Sequence, residues 1–267
     1  MALSLAPAVA LSFAPVAPVR APAPVMKAST SEDLVTLAEQ LNPNIGFWDP
    51  LGLAKRDFWD QGNAATIGFL RHAEIKHGRV AMAAFVGYCI QANGIHFPWG
   101  ITGDISYADI SAAGAPPDQW DAVPTAGKLQ ILGTIALLEF VGETPEKGGE
   151  PHYMRGGKPG YYPSLKNAEN IPHPVPLDLY DPFGWSANMD EETKERRLLM
   201  EINNGRLAML GIFGFLSASK GLIVPGLDFI PLYKGEYMGY FSEVDSGLPF
   251  VSDMISGFAK LATWNPQ

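Results

Sequence analysis

Two stretches of this 267-residue sequence, 127 positions apart, are copies of one pattern, and that repetition constrains the fold more than any other feature. Glu74-Ile-Lys-His-Gly-Arg-Val-Ala-Met, running on to Gly87, aligns with Glu201-Ile-Asn-Asn-Gly-Arg-Leu-Ala-Met, running on to Gly214. Upstream of each copy stands a related turn, Asp49-Pro50-Leu51-Gly52 and Asp181-Pro182-Phe183-Gly184. Two like helices pack by symmetry, and each copy carries small residues at every third position: Gly78, Ala81, Ala84, Gly87 and Gly205, Ala208, Gly211, Gly214. Such a row lets two helix backbones approach closely where they cross. The crossing also brings charges together, so that Glu74 can pair with Arg206 and Glu201 with Arg79 without leaving net charge.

Both copies run into apolar sequence. After Arg79 the chain has no Lys, Arg, Asp or Glu through Gly103, beginning with the run Val80 to Ile90; further apolar runs are Leu129 to Leu138 and Leu207 to Ala218. Each run is about 10 to 13 residues, short of the roughly 20 that a spanning helix needs. They reach spanning length if the helices begin near Thr66, Ala126 and Arg196, which draws the repeat's charges to or below a membrane surface, where they must be paired or used. The loops alternate in Lys and Arg content, the quantity that orients membrane helices. Residues 97 to 127 hold four aspartates and no Lys or Arg, whereas 144 to 195 hold Lys147, Arg155, Lys158, Lys166 and Lys194, and Lys55, Arg56 and Arg71 precede the first run. The pattern predicts an all-α membrane protein of three transmembrane helices, the first and third crossed about a pseudo-two-fold axis. Its N-terminus lies on the basic side and its C-terminus opposite.

Composition removes other classes. With 19 Lys plus Arg against 28 Asp plus Glu, a net charge of -9 and no basic run, the chain lacks the footprint of a nucleic-acid partner. One cysteine, Cys89, builds neither a disulfide framework nor a cysteine zinc site. Twenty-eight Gly and 23 Pro mark long stretches as connection. Residues 1 to 31 contain no acid, only Arg20 and Lys27 among bases, and mostly Ala, Pro, Val, Leu and Ser; Pro7, Pro15 and Pro18 interrupt the apolar part. That composition predicts a targeting peptide over 1–30, excluded from the fold.

Glu74 with His77, and Glu201 with Asn204, stand three apart on their helices. The second member alternates between His and Asn, so what the two copies share is a neutral donor atom, an imidazole nitrogen or an amide oxygen. That suits a metal already held by four ring nitrogens and lacking one axial ligand, as in a haem or a chlorophyll. A magnesium centre accepts oxygen as readily as nitrogen, and a carboxylate serves when its other oxygen is neutralised by arginine. Glu-x-x-His is also a di-iron signature, but that site needs two such copies and two further inward glutamates. Here Asn204 replaces the second His, and Glu139 of the middle run has no His at the matching spacing.

At these residues the chain resembles the light-harvesting chlorophyll-binding proteins of chloroplasts. The resemblance covers about Phe47 to Lys220 and rests on Phe47-Trp48-Asp49-Pro50-Leu51-Gly52, Glu74-x-x-His77-Gly78-Arg79 and Glu201-x-x-Asn204-Gly205-Arg206. The stretch Leu-Arg-His-Ala-Glu-Ile-Lys-His-Gly-Arg from Leu70, the Leu-Gln-Ile-Leu of the middle helix and the short loops are most similar to the chlorophyll a/c branch, fucoxanthin or peridinin, of algae with secondary plastids. Ser12-Phe13-Ala14-Pro15 is similar to the transit signal of such plastids.

The resemblance implies a multi-pass thylakoid protein with its N-terminus in the stroma and its C-terminus in the lumen. It implies a non-enzymatic antenna that binds chlorophyll a, chlorophyll c and a carotenoid of fucoxanthin, peridinin or diadinoxanthin type. Its implied partners are a photosystem core, neighbouring antenna subunits and thylakoid lipids. Glu74, His77, Glu201 and Asn204 would ligate chlorophyll magnesium, Arg79 and Arg206 would form the interhelix pairs, and Gln130 and Glu139 look like further ligands, with Glu143 at the interface. A photoprotective quencher on the same scaffold, or a di-iron membrane oxidase, is the alternative. Two departures stand out: the position fourteen after Asn204, a Gln in green-lineage members, is Ala218, leaving that site to Ser217, Ser219 or water, and no His follows residue 173. The pigment-binding domain is expected over 31–220, and the long tail 221–267 as a lumenal docking surface or a mobile end.

Overall fold

A computed structural model describes residues 28–101, 104–144, 149–165, 180–235, 241 and 245–262. The expected targeting peptide falls almost wholly on 1–27, outside the described residues. Among those described, regular structure is helical: α1 (Ser31–Leu41), α2 (Asn63–Ala92), α3 (Tyr107–Ser111), α4 (Pro116–Ala122), α5 (Thr125–Glu143), α6 (Glu191–Ser219) and α7 (Val251–Ala262). A single bridge, Gly100 to Ser106, is the extended pairing among them.

The three predicted long helices are α2, α5 and α6, and each begins before its expected start, where polar groups outside the apolar runs set the boundary. The Asp190 carboxylate accepts from Thr193 N–H at 2.9 Å, with Glu191 and Glu192 in the first turn of α6. The Asn63 amide ties the first residue of α2 to the Ala54 and Arg56 carbonyls at 2.6 and 3.1 Å. Pro124 sits at the N-cap of α5. With 30 and 29 residues, α2 and α6 are each about 44 Å long at 1.5 Å per residue. No helix among the described residues is both long and apolar enough to cross a membrane on hydropathy alone, since the repeat's charges lie within α2 and α6.

The repeat extends to atomic detail in the turns before the helices. The Asp49 carboxylate accepts from Leu53 and Ala54 N–H at 2.9 and 3.0 Å, and the Asp181 carboxylate from Trp185 and Ser186 N–H at 2.7 and 2.8 Å. Gly52 (φ +63°) and Gly184 (φ +71°) take the left-handed conformation that closes each turn. The bond from Ala54 N–H chiefly holds the Asp49 carboxyl below its ordinary range, and that from the Ser186 hydroxyl chiefly does so for Asp181.

The two repeat helices cross at Gly78 and Gly205. A Cβ on Gly78 would lie 3.0 Å from Gly205 Cα, and one on Gly205 would lie 2.9 Å from Gly78 Cα, so only hydrogens fit. Beside this point Ile75 and Ile202, equivalent in the two copies, form a buried cluster with Leu37 and Leu41 of α1, against which Leu199 packs. The row of small residues does not continue as a seam, because two crossing rods touch at one place. A Cβ on Gly211 would meet the Phe85 ring, one on Gly214 would meet Val224 and Leu227, and one on Gly87 would meet nothing within 4 Å. The opening wedge is filled by aromatic rings: Phe85 and Tyr88 stack on Phe215 at 4.9 and 5.0 Å, and Tyr88 shares a hydrogen bond of 2.5 Å with Ser219.

One step along from the isoleucines, the copies diverge in use. Lys76 of α2 reaches Glu139 and Glu143 of α5, whereas its equivalent Asn203 donates to Leu41 O of α1 at 3.0 Å. Each repeat helix thereby holds one peripheral helix. The segment 149–165 wraps α2: Tyr153 stacks on His72 at 3.9 Å, Gly160 N–H donates to His72 Nδ1 at 3.0 Å, and Arg79 donates to Gly160 O at 2.6 Å.

Helix α5 packs along neither α2 nor α6 and is held at its ends. At one end Glu143 receives Lys76, His152 Nε2 at 2.9 Å and Tyr153 O–H at 2.9 Å, while Tyr162 O–H donates to Leu138 O at 2.9 Å. At the other, Lys128 is the helix's one buried side chain. Between them Leu129, Ile131, Ile135, Leu137 and Phe140 stand exposed.

The crossing makes a direct prediction. Gly205→Ala should lower the thermal stability of the detergent-solubilised protein by about 1–3 kcal/mol, the usual penalty for overpacking. Gly87→Ala, which meets no neighbour, should leave it unchanged or raise it slightly. The turns predict a pH effect. A carboxyl held low in the folded state contributes fully above its unfolded value, about 3.9, and loses that contribution as pH falls through the lowered value. The denaturation midpoint of Asp181→Asn should therefore sit a constant interval below the parent's from pH 8 to 5 and converge with it below about pH 4.

Candidate functional site

The crossing positions two ion pairs related by the pseudo-two-fold axis. Arg79 Nε donates to Glu201 Oε1 at 2.5 Å, and Arg206 Nε donates to Glu74 Oε1 at 2.7 Å. This is the reciprocal pairing expected from the repeat. In both glutamates the second oxygen, Oε2, takes no hydrogen bond from a described residue, and the carboxylates are about one third and one quarter exposed, at 33% and 27%. Each is therefore electrically compensated on one oxygen and available as a donor on the other.

His77 lies one helical turn beyond Ala73, whose carbonyl is 2.7 Å from Nδ1. A carbonyl only accepts, so the ring proton is on Nδ1 and the lone pair on Nε2, which faces outward from an exposed position. This is the arrangement by which ligating histidines are commonly oriented. Asn204, at the equivalent position of α6, is likewise exposed.

On α5, Gln130 and Glu139 are exposed. Glu139 repeats the logic of the crossing in another form: Lys76, a cation from the neighbouring helix, pairs with Oε2 and leaves Oε1 without a described hydrogen bond. Glu143 differs, for Lys76, His152 and Tyr153 occupy both its oxygens and make it a structural knot. At the departure position Ala218 is buried, and Ser219, 1% exposed and bonded to Tyr88, is already committed to the wedge.

Sequence reasoning missed His72, Lys76 and Lys128. His72 is 5% exposed and joins α2 to the 149–165 segment, with Nε2 lacking a hydrogen bond and 4.0 Å from Glu143 Oε1. Lys128 carried a readable signal, being the lone cation at the entrance of an apolar helix, 0% exposed in the fold. The positions of Ile75 and Lys76 inside the repeat conceal their different partners.

Taken together, the candidate donors are single atoms spread over the outer faces of three helices. Among the described residues no three His, Cys, Asp or Glu side chains gather into a group able to hold a metal ion. A di-iron reading requires such a gathering of carboxylates and histidines; instead Glu74 and Glu201 each turn one oxygen to an arginine. One donor per site, beside exposed apolar surface, fits a flat apolar complex that brings its own equatorial ligands and needs only an axial one.

Comparison with known proteins agrees with this chemistry. The family model described as "Chlorophyll A-B binding protein" matches residues 35–220. The fucoxanthin-chlorophyll a-c binding protein of Trieres chinensis is 35% identical over 208 residues, covering 73% of this chain and 85% of that protein. Protein F of the same kind from Phaeodactylum tricornutum is 34% identical over 180 residues, covering 67% and 76% respectively. Protein A of the same kind from Macrocystis pyrifera is 32% identical over 179 residues, covering 64% of this chain and 66% of that protein. The match spans the turn before α2, both ion pairs and every candidate donor, and by it the chain belongs to the chlorophyll a-b binding protein family.

Proposed function

We propose that this protein is a light-harvesting antenna of the chloroplast thylakoid, binding chlorophyll a, chlorophyll c and a fucoxanthin-type carotenoid and passing excitation energy to a photosystem. The observation that carries the reading is the set of half-compensated donors, Glu74, Glu201 and Glu139, together with the outward Nε2 of His77. Each would supply one axial ligand to a chlorophyll magnesium, with Asn204 and Gln130 supplying amide oxygens. Bound pigments supply the absorption and the energy transfer; the chain supplies fixed positions and an apolar matrix. Arg79 and Arg206 would hold the carboxylates in place, so that each helix fixes the ligand borne by the other. The work requires no bond to be made or broken. The pigment type follows the named chemistry of the fucoxanthin-chlorophyll relatives.

The same reading makes α2, α5 and α6 the three thylakoid spans. Val80, Leu207, Leu210 and Phe213 on the repeat helices and the whole middle of α5 present large apolar side chains outward, a surface that lipid and pigment would cover. Their charges are tolerable in that setting because they are paired, where an isolated one would cost about 2.5–3.5 kcal/mol at the centre of a span. The basic N-terminal side is then stromal and the C-terminus lumenal. Residues 1–30 would be the targeting segment and 31–220 the pigment-binding domain. A photosystem core, neighbouring antenna subunits and thylakoid lipids are the partners this reading entails.

The protein purified in mild detergent should show chlorophyll a and c absorption with a stoichiometric carotenoid, and light absorbed by the carotenoid should appear as chlorophyll a fluorescence. A colourless preparation would sink the proposal. Reconstitution with pigments separates the roles of the site residues. His77→Leu should yield a folded complex short of one chlorophyll, whereas Arg206→Leu, which strands the Glu74 carboxylate, should reduce the yield of complex far more severely. Equal yields would contradict the assignment of the arginines.

A further inference from the structure

The C-terminal chain beyond α6 lies outside the region matched by the family model, which ends at residue 220, yet it is bonded firmly into the fold at three described points. Tyr233 N–H donates to Ser219 O at 2.9 Å, and its hydroxyl donates to Asp121 Oδ2. Lys234 N–H donates to Asp118 Oδ1 at 2.9 Å, and its ammonium to Ala113 O at 3.1 Å. Asp245 then meets the first turns of α5. Its Oδ2 accepts from Lys128 Nζ at 2.7 Å and its Oδ1 accepts from the Thr125 hydroxyl, while Lys128 also donates to Asp121 O at 3.3 Å. The pair is sealed, with side chains 0% and 2% exposed.

A buried ion pair is a poor source of net stability but a strong source of geometric definition, since moving either partner leaves a charge without compensation. Here definition is what the fold lacks. Helix α5 has no packing seam with α2 or α6, and the Lys76–Glu143 knot restrains the far end alone. From this we infer that the tail is a strap whose Asp245, through Lys128, fixes where the Thr125 end of α5 stands relative to the crossed pair. Asp245 and Lys128 are thus positioning residues for whatever α5 carries. The inference rests on the antenna reading in one respect: the cargo of α5 is then pigment on Gln130 and Glu139, and the strap sets its separation from pigments on α2 and α6.

The test uses the full chain in a Cys89→Ser background with spin labels at Gln91→Cys, at the end of α2, and Ala126→Cys, at the start of α5. The parent should give one narrow label separation. Asp245→Asn and Lys128→Met should each broaden it and shift it outward, and the charge-exchanged pair Lys128→Asp with Asp245→Lys should restore the narrow peak. In the pigment-loaded protein, excitation transfer from α5-borne pigment to the remainder should slow in the single variants and recover in the exchanged pair. An unchanged separation in both single variants overturns the strap. If the single variants do not assemble, assembly of the exchanged pair with the parent's separation upholds it, and failure of that pair to assemble overturns it. A protein that binds no pigment but still shows a separation dependent on Asp245 would remove the antenna reading and leave the strap.

Discussion

Everything in this fold hangs on the contact of Gly78 with Gly205. With two glycines at the crossing, helix backbones come so close that no Cβ fits between them, and at that approach a glutamate on each helix meets an arginine on the other by its Nε. The pairing then cancels charge that neither helix could carry alone in an apolar medium. Steric closeness comes first and electrostatic compensation follows, which is why glycine and arginine are adjacent in both copies. The isoleucines before them close the same contact from the α1 side.

Around that contact the usual arrangement of a globular protein is inverted. The tightest interactions at the centre are ionic, and large apolar side chains point away from the protein along α2, α5 and α6. Such a molecule has little apolar core of its own. Its large apolar side chains lie instead along the outer faces of the long helices.

Much of this was legible in the sequence, for a physical reason. A repeat whose polar residues recur in apolar surroundings must use them, and the two copies identify each other's partners; Glu74 with Arg206 and Glu201 with Arg79 needed no coordinates. The twin aspartate turns were visible as a pattern, though not their matching hydrogen bonds. What could not be read was the partner of a residue that has no second copy. Asp245 and Lys128 lie 117 residues apart with no internal echo, and Lys76 and Asn203 occupy one register position while serving different helices. The rows of small residues pointed to a close crossing, which Gly78 and Gly205 make; which members of the rows meet there was not legible, because spacing on each helix says nothing of the angle at which they diverge. The helix starts were early because the Asp190 cap and the tie of Asn63 to the loop before α2 are not visible to hydropathy.

The exposed middle of α5 has a consequence for how such a protein can vary. The two fastenings, Lys128 and Glu143, stand 15 residues apart on one helix, about 22 Å at the usual rise. A single inserted residue would turn one fastening by about 100° away from its partner, so length and phase between them are locked. Side-chain identity is freer at the exposed apolar positions between them, since among the described residues α5 has no packing seam with α2 or α6. On the antenna reading, the surroundings of a pigment on α5 can therefore be altered by substitution alone, at exposed positions where a change of shape bears on the pigment more than on the fold.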